Sequence, residues 1–284
     1  MKNIVWLASY PKSGNTWLRI LMDSILNKNG ETVDINKISL ANLGFLSRQR
    51  LDEFLEFDSS SLSVEETYYY KRKFFQEFDL NLKKEAFLKT HDANIQLFDG
   101  APLIPEDITK LVIYLVRNPL DIVASLANHH GITNEEAITL ILNDTYTLFR
   151  SKKGITTSVD QFIGSWQNNV LSWLNSDLPL IVLRYEDMLI KPTEMLIQIF
   201  RLLEIDVDRH VIQRAVNNNS FEVLRRMEED IGFKERNGST ERFFRQAKSG
   251  AWKKELTSQQ VNKVINDFEP TLKRLGYFPA IKAS

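Results

Sequence analysis

A lysine, two hydroxyls and a glycine stand together where an apolar run gives way to a helical pattern: residues 9–17 read Ser9, Tyr10, Pro11, Lys12, Ser13, Gly14, Asn15, Thr16 and Trp17. A strand that feeds a turn and then a helix aims several backbone N–H groups and the positive end of the helix dipole at one point, which suits a phosphate. Gly14 permits close backbone approach, while Lys12, Ser13 and Thr16 add a charge and two hydroxyl donors. The order differs from the ATP-binding pattern GxxxxGK[ST], because Lys12 precedes Gly14 and no glycine opens the loop. A Pro/Gly turn ahead of an ordinary helix reads the same way in isolation.

A second anion site is suggested at Arg117, Asn118 and Pro119, which close the apolar run 111–116. The carboxyl end of a parallel strand faces the crevice where α/β sheets bind ligands, and Pro119 suits the first turn of a helix. Ser125 lies two turns into that helix, within reach of an anion gripped by the Arg117 fork. The alternative is a surface pair between Arg117 and Asp121. Proton transfer has its candidate in Lys89, Thr90, His91 and Asp92, which follow the apolar residues 86–88. An imidazole titrates in the range a general base needs, although a lone histidine is also a common structural residue. His129 and His130 form a competing pair, read as loop or acceptor-pocket residues.

Four apolar runs, residues 4–8, 86–88, 111–116 and 180–183, lack polar alternation and are each followed by a helical pattern. Such runs are strands buried on both faces, so the expected architecture is α/β: a three-layer α/β/α sandwich with a central parallel sheet and a P-loop-like turn. Helical periodicity is clearest at Trp17, Leu21 and Ile25, at Leu120, Ala124 and Ala127, over 162–174 and over 188–203. Residues 30–58 and 231–249 show no such pattern and read as irregular. No repeat or linker divides the 284 residues, so one domain over 1–284 is expected.

A formal net charge of -1 excludes the broad basic field of a sequence-independent nucleic-acid binder, so any anion site is local. The absence of cysteine excludes disulfides, thiolate nucleophiles and Cys-ligated metals. The longest apolar stretch, 111–116, is too short to cross a bilayer, and no charged leader precedes the first run, so a cytoplasmic protein without membrane attachment is expected.

Taken in order, these segments resemble the PAPS-dependent sulfotransferase family, of the cytosolic type and with the abrupt start of stand-alone bacterial members. Its 5′-phosphosulfate loop reads much like residues 10–17, and its 3′-phosphate site like Arg117 with Ser125 eight residues on. Tyr185 resembles the tyrosine near the adenine, and Ser220 with Phe221 a pair that packs on the adenosine. The stretch Arg245, Gln246, Ala247, Gly250, Trp252 and Lys253 resembles R-K-G-x-x-G-D-W-K, with Gln246, Ala247 and Ala251 departing from it. His91 falls at the family's catalytic histidine.

The resemblance implies a sulfuryl transfer from PAPS to a small-molecule hydroxyl, leaving PAP. His91 would act as base and Lys12 and Lys89 would stabilise the leaving phosphate. Lys12, Ser13, Gly14, Asn15, Thr16, Trp17, Arg117, Ser125, Tyr185, Ser220, Phe221, Arg245, Gln246 and Ala247 are the implied cofactor contacts. That scheme requires no metal, no nucleic acid and no membrane, and leaves monomer and homodimer both open. The rival enzyme is an ATP/Mg²⁺-dependent small-molecule kinase, for which Asp187 is the available metal-binding carboxylate. A catalytically silent nucleotide-binding protein is the third reading.

Overall fold

The computed structural model describes residues 2–41, 46–149, 156–236, 242–244 and 248–278. In chain order its elements are β1 (Ile4–Ser9), α1 (Asn15–Lys28), α2 (Arg48–Leu55), α3 (Val64–Leu80), β2 (Ala86–Thr90), β3 (Thr109–Val116), α4 (Pro119–His130), α5 (Asn134–Leu142), β4 (Thr147–Leu148), β5 (Gln161–Phe162), α6 (Trp166–Leu174) and β6 (Leu180–Arg184). The rest is helical: α7 (Tyr185–Ile190), α8 (Pro192–Leu202), α9 (Arg209–Asn218), α10 (Phe221–Ile231), α11 (Trp252–Glu255) and α12 (Ser258–Arg274).

The four apolar runs are the four strands of the central sheet, in the order β2-β1-β3-β6. Every residue of β1 is buried, as expected of a strand covered on both faces. β1 and β2 run parallel with Ile4 opposite Ala86 and Ala8 opposite Thr90, so Ser9 and His91 leave the sheet side by side. This is the expected α/β class, a central parallel sheet flanked by helices.

Local chemistry corrects several boundaries. The helix expected over 162–174 begins only at Trp166, because Gly164 has a φ of 67° and the Ser165 side chain caps the next turn by accepting from Asn168 N. Phe162 belongs instead to a short antiparallel pair with Thr147. The pattern over 188–203 is two helices, α7 and α8. Pro192 lacks the donor to continue α7 and holds Lys191 at φ −134°, ψ 54°. Residues 30–58 include α2, started by the Ser47 cap on Arg50 N. His129 and His130 form the last turn of α4, closed by Gly131 in the left-handed region, and not a loop.

The chain divides into two compact units. One comprises Met1–Tyr10, Ala41–Tyr114 and Asp144–Ile181; the other comprises Pro11–Leu40, Leu115–Asn143 and Val182–Ser284. In the first, Trp6 packs edge-on against Phe75 and donates its indole N–H to Thr109 Oγ1. In the second, Ile20, Val33, Ile35, Leu224, Phe233 and Phe244 form an apolar cluster beneath α1.

Asn219 ties α1 to α9 within the second unit. It is fully buried; its Oδ1 accepts from Val33 N at 2.9 Å, and its Nδ2 donates to Ser24 Oγ at 3.0 Å and Ala215 O at 2.9 Å. Its carbonyl also accepts the Trp17 indole N–H at 3.1 Å, fixing the first turn of α1. Asn219→Ala orphans the Val33 amide and lowers stability by about 3 kcal/mol, read as a lower urea midpoint. A loss below about 1 kcal/mol would mean that water replaces the amide.

Candidate active site

The phosphate loop belongs to the second unit, and its backbone is held in an unusual conformation. Gly14, the N-cap of α1, has φ 95° and offers no side-chain cap to the first-turn amides. A Cβ at Gly14 would meet Tyr185 Cδ2 at 2.5 Å, so both the dihedral and the neighbouring ring demand glycine. Lys12 also sits in the left-handed region, at φ 69°, which is uncommon for a residue with a side chain.

The loop's polar atoms are short of partners. Ser13 is 1% exposed, and its Oγ meets no hydrogen-bond partner among the described residues; the Arg117 Nε is in the same position. Lys12 has its ammonium 4.5 Å from the centre of the Phe243 ring. Burial, and then the Arg117 guanidinium, push its pKa down to about 8, and the attraction of Glu235 and Glu228 offsets only part of this. A buried hydroxyl, a guanidinium edge, a destabilised ammonium and an uncapped helix start form a donor set that fits a phosphate or phosphosulfate.

Arg117 is fixed by three contacts. It donates Nη1 to Lys12 O at 3.0 Å and Nη2 to Lys248 O at 3.4 Å, and its guanidinium lies 4.5 Å from the Tyr185 ring centre. Asp121 does not pair with Arg117; its carboxylate accepts from Gly250 N at 2.9 Å and Trp252 N at 3.2 Å. Ser125 lies one turn beyond Asp121 on the same face of α4, half-buried. The segment carrying Lys248 and Gly250 is therefore stapled to the start of α4. Arg245, Gln246 and Ala247 lie outside the described residues.

On the other side of those three residues, Glu228 accepts from Phe243 N at 2.7 Å and Phe244 N at 2.8 Å while only 4% exposed. The Phe243 ring so placed faces Lys12 and lies 6.4 Å from His129. Burial, then the Lys12 charge and then His130 hold His129 down at about 4; burial and Lys12 also lower His130. Both shifts favour the neutral imidazole. Phe221 packs against the cluster that includes Phe244, and Ser220 caps α10 without a side-chain hydrogen bond. Thr16 donates to Glu235 Oε2 at 3.4 Å, and Arg19 pairs with the same carboxylate at 3.0 Å.

The first unit holds His91 and Lys89. His91 Nδ1 lies 2.7 Å from the Ser9 carbonyl, which can only accept, so Nδ1 carries the proton and Nε2 presents its lone pair. The His91 backbone is held on both sides: its N–H donates to Gln161 Oε1 at 3.2 Å and its carbonyl accepts from Asn169 Nδ2 at 3.0 Å. Lys89 is half-buried at the end of β2.

Thus Lys12, Ser13, Gly14, Asn15, Thr16, Trp17, Arg117, Ser125, Tyr185, Ser220 and Phe221 fall in one unit, and Lys89 and His91 in the other. Asp187, the carboxylate a kinase reading requires, is 53% exposed and its nearest cation is Arg184 Nε at 3.8 Å. Sequence reasoning missed Glu228 and Glu235. A buried carboxylate that holds distant backbone looks, in one dimension, like any solvated helix residue.

A sulfotransferase domain model matches residues 2–276. Cytosolic sulfotransferase 16 of Arabidopsis thaliana is 23% identical over 287 residues, covering 95% of this chain and 76% of that one. Sulfotransferase 1 family member D1 of Rattus norvegicus is 24% identical over 288 residues, covering 95% and 85%. Among solved structures, mouse sulfotransferase SULT7A1 complexed with PAP shares the fold with a TM-score of 0.62 at 20% identity, covering 100% of this chain and 88% of that one. Retinol dehydratase in complex with androsterone and the inactive cofactor PAP gives 0.61 at 19% identity, covering 95% and 80%.

Replacing Glu228 by Ala strands the part-buried amide of Phe243 and the buried amide of Phe244, and a loss of about 2–3 kcal/mol is expected. Faster hydrogen exchange at those two amides is the specific readout. Unchanged exchange there would show that the carboxylate does not hold the segment.

Proposed function

Because the chain belongs to the sulfotransferase family, matched over residues 2–276, we propose that it moves a sulfuryl group from PAPS to the hydroxyl of a small-molecule acceptor. His91 serves as general base, and Lys12 and Lys89 stabilise the departing phosphate. The observation that carries this reading is the under-compensated cation site at the phosphate loop, where Ser13 Oγ and Arg117 Nε have no partner among the described residues and Lys12 is destabilised beside Arg117.

PAPS supplies an activated sulfuryl group and a phosphate that takes up negative charge as the S–O bond breaks. The first-turn amides of α1, Ser13 and Thr16 bind the 5′ end; Arg117 and Ser125, joined by Arg245, hold the 3′-phosphate; Trp17, Tyr185 and Phe221 border the adenosine. Lys12 gains most from an arriving anion, since burial and Arg117 disfavour its charge beforehand. His91 Nε2 accepts the acceptor's hydroxyl proton as the oxygen attacks sulfur, and the Nδ1–H bond to Ser9 O steadies the resulting imidazolium. Along the chain Ser9 is three residues before Lys12, so the base's support and the loop's cation lie on one short segment.

We take residues 1–284 as one catalytic domain, which the unbroken family match supports. A cytoplasmic location is supported by the relatives named cytosolic and by the lack, among the described residues, of any helix long and apolar enough to cross a membrane. A small hydroxyl-bearing acceptor is supported by the solved relative that holds androsterone.

Calorimetric titration with adenosine 3′,5′-bisphosphate beside ATP plus Mg²⁺ tests the donor without knowledge of the acceptor. The bisphosphate should bind at least about tenfold more tightly, and Arg117→Ala should weaken it by about 10- to 100-fold, as loss of a charge-assisted bond requires. A preference for ATP with Mg²⁺ would move the protein to the kinases.

The Lys12 pKa of about 8 adds a pH signature. A bound anion raises that pKa, so no proton is taken up well below pH 8; above it, binding takes up a proton and affinity falls as pH rises. Titrations in buffers of different ionisation enthalpy read the uptake directly, and a pH-independent affinity between 7 and 10 would contradict it.

In a coupled assay of PAP release across a panel of phenols and alcohols, His91→Ala should lower turnover by about 10²–10⁴-fold with bisphosphate affinity unchanged. Retained turnover would remove His91 from the role of base.

A further inference from the structure

Next to His91 lies an ion pair that the proposed chemistry does not use. Lys71, on α3, and Asp92 are 2% and 1% exposed, and Lys71 Nζ stands 2.7 Å from Asp92 Oδ2. Asp92 is densely bonded. Its Oδ2 also accepts from Thr90 Oγ1 at 2.8 Å, its Oδ1 accepts from Phe162 N at 2.9 Å, and its carbonyl accepts the Trp173 indole N–H at 3.0 Å. Its own N–H donates to Thr90 Oγ1 at 3.0 Å. Lys71 Nζ completes its set on Asp160 O at 3.1 Å.

Stability alone does not account for such a pair. Two charges removed from water recover little more than their desolvation cost, and well-packed apolar residues of similar volume are commonly as stable or more so. Directionality is what an apolar pair cannot supply. The Asp92 carboxylate joins the end of β2 to β5 and, through Lys71, to α3, so residues 90–92 have one backbone course. Gln161 and Asn169 then grip the His91 backbone itself. With the backbone fixed, the imidazole reaches Ser9 O through Nδ1.

We propose that Lys71 and Asp92 are positioning residues for the base, holding His91 in a single tautomer with Nδ1 on Ser9 O. This rests on the reading of His91 as the base. A neutralising single substitution leaves a buried charge and can unfold the chain, so the test uses paired replacements, K71M/D92L and, as a polar isostere pair, K71Q/D92N.

In full-length protein labelled with ¹⁵N-histidine, the His91 ring signals are assigned by their loss in H91Q, against His129, His130 and His210. Wild type should show one fixed Nδ1–H tautomer. The double variants should melt within a few degrees of wild type, bind adenosine 3′,5′-bisphosphate unchanged, and show averaged tautomers with a kcat about tenfold or more lower at unchanged KM for PAPS.

Fixed-tautomer signals and unchanged kcat in either folded double variant would overturn the positioning role. Collapse of both doubles would overturn it too, by making the pair a requirement of folding. The two readings fail separately: full turnover in His91→Ala removes the base, whereas an inactive His91→Ala beside a double variant of wild-type kcat removes only the positioning role.

Discussion

Two cations held close together at the phosphate loop, with too little internal negative charge to balance them, set the terms for the second unit. Arg117 reaches the Lys12 carbonyl, which fixes the guanidinium beside the loop; burial, and then that guanidinium, lower the Lys12 pKa. Like charges in a partly dry setting repel more strongly than they would in water, so the arrangement persists only because the surrounding structure holds it. Tyr185 stacks on Arg117 and fills the space that any side chain at position 14 would need. Asn219 pins Trp17, and Glu228 holds Phe243 against Lys12. A polyanion bound there would relieve the repulsion without rearranging those supports, the kind of preorganisation the proposed transfer would use.

Much of the fold was legible in the sequence, for reasons that also explain the gaps. Strands buried on both faces need continuous apolar residues, and all four runs became strands of the sheet. The phosphate loop was legible because Pro11, Gly14 and the hydroxyls are demanded by backbone geometry at fixed spacing. α3 was not, because its buried face carries Lys71, Arg72 and Asp79 beside Tyr68 and Phe75 and so lacks an apolar stripe. The break between α7 and α8 was written in Pro192 but masked by the apolar spacing that runs through it. Around the candidate site, the loop residues set by local backbone geometry were readable, whereas a residue that holds distant backbone, Glu228 above all, has no one-dimensional signal.

Buried charge is treated differently in the scaffold and at the phosphate loop. Asp23 accepts from Ser39 and Asn27, Asp121 from two backbone amides and Glu228 from two more, while Arg19 donates to Glu235; each buried charge is matched within its own neighbourhood. Asp92 is matched four times over by Lys71, Thr90, Phe162 and, at its carbonyl, Trp173. Such saturation is what a group needs if it is to keep one geometry through a catalytic cycle, since every bond it could make elsewhere is already made. Ser13, Arg117 and Lys12 break that rule together and in one place, with a buried hydroxyl and a guanidinium nitrogen lacking partners among the described residues. Unfilled hydrogen-bonding capacity beside disfavoured charge is costly to the protein alone. A ligand that brought the missing acceptors would recover that cost, so the same deficit that weakens the isolated loop is what the proposed anion site would draw on.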